Sequence, residues 1–108
     1  MVITLPIKPL SVNECWRGQR FKTDKYKSYE KEVMYQLPAF DMPLPPYRFT
    51  YEFGFSNVQC DWDNPCKPLQ DIMQKRYGFN DKDIHEATVR KVKVKKGQEY
   101  FTITVESI

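Results

Sequence analysis

Tyr47-Arg48-Phe49-Thr50-Tyr51-Glu52-Phe53-Gly54-Phe55 alternates an aromatic ring with a polar or small residue at every step. Successive side chains of an extended strand point to opposite faces, so this run reads as a β-strand with one wholly aromatic face. Such a face needs a cover. Following it, residues 63–77 carry Cys66, Leu69, Met73 and Tyr77 at spacings of three and four, which predicts a helix buried along that side. Asp63 or Asn64 suits its N-cap, Pro65 its first turn and Gly78 its C-terminal exit. Preceding the strand, Tyr26, Tyr29, Val33 and Leu37 mark another amphipathic helix, capped by Thr23 or Asp24 and stopped by Pro38. The prolines within residues 41–46 make a linking turn.

Further out, residues 2–6 read as a short first strand and residues 8–19, rich in Pro, Ser, Asn and Gly, as a loop. Residues 89–95 and 100–105 alternate again, and the Lys95-Lys96-Gly97-Gln98 turn between them predicts a C-terminal β-hairpin. Strand, helix, strand, helix, strand, strand is the order of an α+β fold, with a mixed or antiparallel sheet packed with two helices. At 108 residues the chain fits one small domain spanning 1–108. A domain of this size buries a modest fraction of its surface, so a homodimer is expected.

Charge and cysteine usage narrow the function classes. The net charge of +3 permits a polyanionic partner without demanding one. Its distribution is more informative, because Arg90, Lys91, Lys93, Lys95 and Lys96 crowd one late segment. Lys91, Lys93 and Lys95 alternate with Val92 and Val94, which predicts three cations on one strand face. They suit either the backbone of DNA or an edge guarded against strand pairing. Arg17, Arg20 and Lys22 flank the loop around Asn13 and are further candidates for DNA contact. Three cysteines are an odd number, which argues against a disulfide framework, and a single histidine beside Cys60 and Cys66 is poor zinc chemistry. With no charged leader and no long apolar run, a soluble cytoplasmic protein without membrane or organic-cofactor partners is expected.

The chemistry concentrates in Cys60-Asp61-Trp62-Asp63-Asn64-Pro65-Cys66-Lys67 and on to Asp71. Two carboxylates two residues apart repel unless a cation or proton sits between them. A hard ion such as Mg²⁺ suits them, since it takes oxygen ligands from one or two carboxylates, water and phosphate. Asp63, Lys67 and Asp71, spaced by four, would line one helix stripe, with the lysine placed to meet a phosphate. Asp81, in the turn after Gly78, can add a ligand from another element. The same residues also fit plain capping, with Asp63 accepting helix N–H groups and Asp61 making an Asx-turn. Trp62 is expected to pack on the core, with base stacking as the alternative. His85 reads as an ordinary polar residue.

Over nearly its whole length the chain resembles the RusA-type Holliday junction resolvases of phages and prophages. The resemblance runs through Ile3-Thr4-Leu5-Pro6, the Pro9-Leu10-Ser11-Val12-Asn13 stretch and Asp61-x-Asp63-Asn64-x-x-Lys67-x-x-x-Asp71. It continues through Gly78-Phe79, Asp81-x-x-Ile84, Lys93-x-x-Lys96-Gly97 and Phe101-Thr102-Ile103-Thr104. It implies a dimeric, Mg²⁺-dependent endodeoxyribonuclease, with Mn²⁺ able to substitute, that cuts four-way DNA junctions symmetrically inside a bacterial cell. It makes Asp61, Asp63 and Asp81 the catalytic, metal-holding acids, Lys67 the essential lysine and Asp71 a supporting acid. The family often has adjacent aspartates where this chain has Asn80-Asp81, so Asp83 is the alternative third acid, and Ile84 at the family's spacing favours Asp81. Other expectations of the same residues are a less selective nuclease for branched DNA and a non-catalytic DNA-binding module.

Overall fold

The computed structural model describes every residue except Gln19, Arg20, Val58 and Cys60. Along the chain run β1 (Val2–Leu5), two-residue strands β2 (Trp16–Arg17) and β3 (Phe21–Lys22), and α1 (Asp24–Gln36). They are followed by β4 (Tyr47–Phe55), α2 (Cys66–Tyr77), β5 (Ile84–Lys93) and β6 (Tyr100–Ser107), with 3₁₀ turns at Val12–Glu14 and Asp81–Asp83. Four strands form a mixed sheet in the order β1, β6, β4, β5, while β2 and β3 pair separately. The α+β class holds.

β4 lies inside this sheet because its aromatic face must be enclosed. Tyr47, Phe49, Tyr51, Phe53 and Phe55 are all buried in one core with Tyr26, Tyr29 and Val33 of α1 and Leu69, Ile72 and Met73 of α2. Fully burying an apolar side chain of this size is worth roughly 1.5–3 kcal/mol. The Tyr51 hydroxyl on that face is satisfied, donating to Gln70 Oε1 at 3.0 Å. The opposite face of the sheet carries Thr4, Thr50, Thr102 and Thr104, with Arg48 paired to Glu86 at 2.6 Å.

Both helices obey their end signals. The Thr23 hydroxyl accepts the Tyr26 N–H at 3.1 Å, and α1 ends just before Leu37 and Pro38. Gly78, at φ 75°, takes the left-handed conformation that closes α2.

The expected C-terminal hairpin is corrected. The turn exists, with Gln98 N–H bonded to the Lys95 carbonyl at 2.9 Å, but β5 and β6 lie on opposite edges of β4. β5 runs parallel to β4, and a parallel neighbour needs a crossover, which α2 supplies. Residues 94–99 then step across the end of β4, Val94 N–H bonding the Phe55 carbonyl at 2.9 Å, so that β6 pairs antiparallel on the other side. Passing one strand means covering about 10 Å, twice the strand spacing, and a six-residue connection reaches that easily. β5 also starts at Ile84, earlier than the alternation alone suggested.

Gly54 sits opposite Tyr100, whose ring lies where a β-carbon would project. The Tyr100 hydroxyl bonds Glu52 Oε2 at 2.8 Å and holds the ring there. Gly54→Ala should therefore cost about 1–2 kcal/mol in urea unfolding, by overpacking against that ring. The loss should shrink in a Tyr100→Ala background, and an equal loss in both backgrounds would contradict the contact.

Candidate acidic site at the start of the second helix

Asp61, Trp62 and Asp63 sit on the loop that turns the chain from β4 into α2. Two consecutive turns fix its backbone, with Asn64 N–H bonded to the Asp61 carbonyl at 3.3 Å and Cys66 N–H to the Asp63 carbonyl at 3.0 Å. The N-terminal loop pins it from outside, Val12 N–H donating to the Asn64 carbonyl at 2.9 Å.

α2 begins at Cys66 and not at residue 63 as expected. Pro65 occupies the N-cap at φ −84°, ψ −5°, with no side-chain cap. Pro65 and Pro68 bring no N–H, so the first turn has fewer orphan donors to satisfy. The capping alternative for Asp61 and Asp63 falls with this. Among the described residues neither carboxylate makes a hydrogen bond or ion pair, and both stand exposed. Asp63 still acts electrostatically: burial, and then its charge, push the Cys66 thiol up to about 11.

Lys67 lies one step into the helix. Its ammonium donates to Asp71 Oδ1 at 2.7 Å and stands 3.8 Å from Asp81 Oδ2. The 3₁₀ turn at Asp81–Asp83 delivers Asp81, and Asn80 caps that turn by accepting the Lys82 N–H on its side-chain oxygen at 3.0 Å. Asn80 therefore has a local structural task, and Asp81, not Asp83, is the acid that reaches Lys67. The hydrogen bond to Asp71, helped by the charges of Asp71 and Asp81, raises the Lys67 pKa and keeps it a cation. Asp71 is felt further inward: burial and then Asp71 push the Tyr26 hydroxyl up to about 12.

The basic candidates are less uniform than the sequence suggested. Lys22 is tied to Glu30 at 3.1 Å, and Lys75 of α2 holds the same carboxylate at 2.7 Å. Burial opposes the charge on Glu30, but hydrogen bonds from the two lysines hold its pKa below the usual carboxylate range. No spacing in the sequence links residues 22, 30 and 75, so this bridge between β3, α1 and α2 was not foreseeable.

Arg17 is exposed on β2, and Arg20 lies outside the described residues. Lys91 and Lys93 pair with Phe53 and Phe55, which puts them on the helix-bearing side of the sheet, whereas Lys95 and Lys96 sit beyond the strand in an exposed turn. The three alternating lysines are thus not one strand face, because β5 ends at Lys93. Ser56, just after β4, bonds Glu99 at 2.7 Å and links that turn to the start of the loop bearing Asp61. Trp62 is corrected as well: it is 57% exposed instead of packed on the core.

Mg²⁺ chemistry asks for carboxylate oxygens with room for water and phosphate. Asp61, Asp63, Asp71 and Asp81 are donors of that type. The described residues contain no group of three or more His, Cys, Asp or Glu side chains gathered closely enough to hold an ion alone. The donors thus suit an ion bound through one or two carboxylates with a phosphate partner, and they do not form an all-protein cage. The chain matches no protein-family model and no curated protein.

Lys67 gains its partners on folding, so its pKa lies above the ordinary 10.5. The stability it contributes is complete below that ordinary value and is lost as pH rises through the folded value. Asp71→Asn should move the Lys67 side-chain titration, followed by NMR at its ε-methylene, back toward ordinary lysine. An unmoved midpoint would mean that Asp71 does not hold the ammonium.

Proposed function

We propose that the chain is a RusA-type, magnesium-dependent endodeoxyribonuclease that resolves four-way DNA junctions. It works as a homodimer in the bacterial cytoplasm and is of phage or prophage origin. The observation that carries this is the charge layout around the start of α2. Lys67 is gripped by Asp71 and Asp81, while Asp61 and Asp63 on the adjoining loop have no hydrogen bond or ion pair among the described residues. Unpartnered carboxylates at a helix entry that needs no cap have no evident structural task, and a bound cation gives them one.

One or two of the carboxylates of Asp61, Asp63 and Asp81 would hold the ion together with the substrate phosphate, and the ion when bound would polarise a phosphate oxygen and lower the pKa of a coordinated water. Lys67 supplies a fixed positive charge for the oxygens on which negative charge grows during phosphodiester cleavage. Asp71 positions that ammonium. The exposed Arg17, Lys93, Lys95 and Lys96 attract the DNA backbone, an attraction that weakens with salt. Among the described residues no helix is long and apolar enough to cross a membrane.

The test is a labelled synthetic four-way junction beside a linear duplex and a flap, with Mg²⁺ or with chelator. Paired, metal-dependent cuts in the junction alone are expected. Lys67→Ala should lower the rate about a hundredfold or more, and Asp61→Asn should remove most cleavage with the fold intact. Wild-type cutting by Asp61→Asn overturns the site, equal cutting of flap and junction means a less selective nuclease, and binding without cutting means a DNA-binding module.

A further inference from the structure

We infer that the β2–β3 hairpin carries a stacking site for an unpaired base of single-stranded DNA, with Trp16 and Phe21 as its rings and Arg17 and Lys27 as its phosphate contacts. The choice of ligand rests on the proposed action at branched DNA, where strand exchange leaves bases unstacked. The site itself stands on separate observations.

Trp16 and Phe21 are 41% and 71% exposed, although large rings in a chain this small are mostly drawn into the core. They line one open hollow with Arg17, Lys22 and Lys27. Its volume, about 770 Å³, falls within the roughly 300–1,000 Å³ of ligand clefts. Trp16 is not loose. The buried Tyr26 meets it edge to face, with centroids 5.7 Å apart and planes at 74°, so its orientation is set before any ligand arrives. A pre-oriented ring with an open face loses little conformational entropy when a base stacks on it.

The charges point the same way. Lys22 is occupied by Glu30 and lies 5.2 Å from the Tyr26 ring centroid. Arg17 and Lys27 have no carboxylate in ion-pair range among the described residues, and both line the hollow. Flat apolar rings beside unneutralised cations match the two faces of a nucleotide, base and phosphate. One residue relates the hollow to Asp71. Tyr26, which holds Trp16, is the same residue whose hydroxyl feels the charge of Asp71.

The test is fluorescence anisotropy of labelled oligothymidylate and of an abasic oligonucleotide of equal length, in chelator, so that neither metal nor cleavage enters. Wild type should prefer the strand with bases by about tenfold. Phe21→Ala should reduce that preference without touching the core, Trp16→Ala should abolish it, and Trp16→Phe should restore part of it. Arg17→Ala with Lys27→Ala should weaken both strands alike. Equal binding of the two strands by wild type, or no binding of either, overturns the site, and it does so even if the junction is cut. Conversely, a base preference that persists in a protein unable to cut any junction leaves this site standing and removes the nuclease.

Discussion

Five rings projecting from one side of β4 have to be kept from water, and most of the architecture is a response to that demand. A single strand cannot shelter its own side chains. It needs neighbours on both edges to satisfy its backbone and a helical layer to cover its rings. α2 provides the cover and, in the same stroke, carries the chain back to lay β5 parallel to β4. The loops at the two ends of α2 are therefore consequences of the crossover, and the acids ride on them: Asp61 and Asp63 on the way in, Asp81 on the way out. Lys67 is the side chain that reaches from the helix to the returning turn.

The distribution of charge sorts into two kinds. Some pairs serve the fold: Glu30 gathers Lys22 and Lys75 and thereby joins the small hairpin to both helices, and Arg48 with Glu86 decorates the open sheet face. The exposed pair of Arg48 and Glu86 contributes on the order of 1 kcal/mol or less. Others have no counterpart among the described residues, notably Asp61 and Asp63 on one side and Arg17 and Lys27 on another. Open acids and open cations on one small domain suit a ligand that is itself anionic and able to bring a counter-cation.

Local grammar made much of this readable beforehand. The alternation of Tyr47 through Phe55, the Thr23 cap, the Pro38 stop and the left-handed Gly78 each depend on a few adjacent residues, and each appears where its chemistry requires. What escaped was decided by distance. The Lys95–Gln98 turn looked like a hairpin because turn chemistry is local, whereas the choice of partner for each strand depended on where α2 would drop β5. At the site, Lys67 with Asp71 was legible as an i, i+4 pair, but the start of α2 shifted because Pro65 and Pro68 relieve the need for a cap. Trp16 was hidden inside a stretch whose Gly and Asn content said only loop, and Phe21 stood between that stretch and α1, although rings beside Arg17 and Lys22 were a signal of their own.

The pairing of β1 with β6 has a kinetic meaning. Val2 aligns with Thr104 and Leu5 with Phe101, so β1 pairs with β6 although every other element of the fold lies between them along the chain. Ile3 and Leu5 are buried along that seam, so burying them requires β1 and β6 to meet across all the chain between them. Closing so long a stretch of chain is entropically slow. That non-local seam is thus the contact whose formation is expected to slow folding most, with the outermost strand acting as a latch on the aromatic centre.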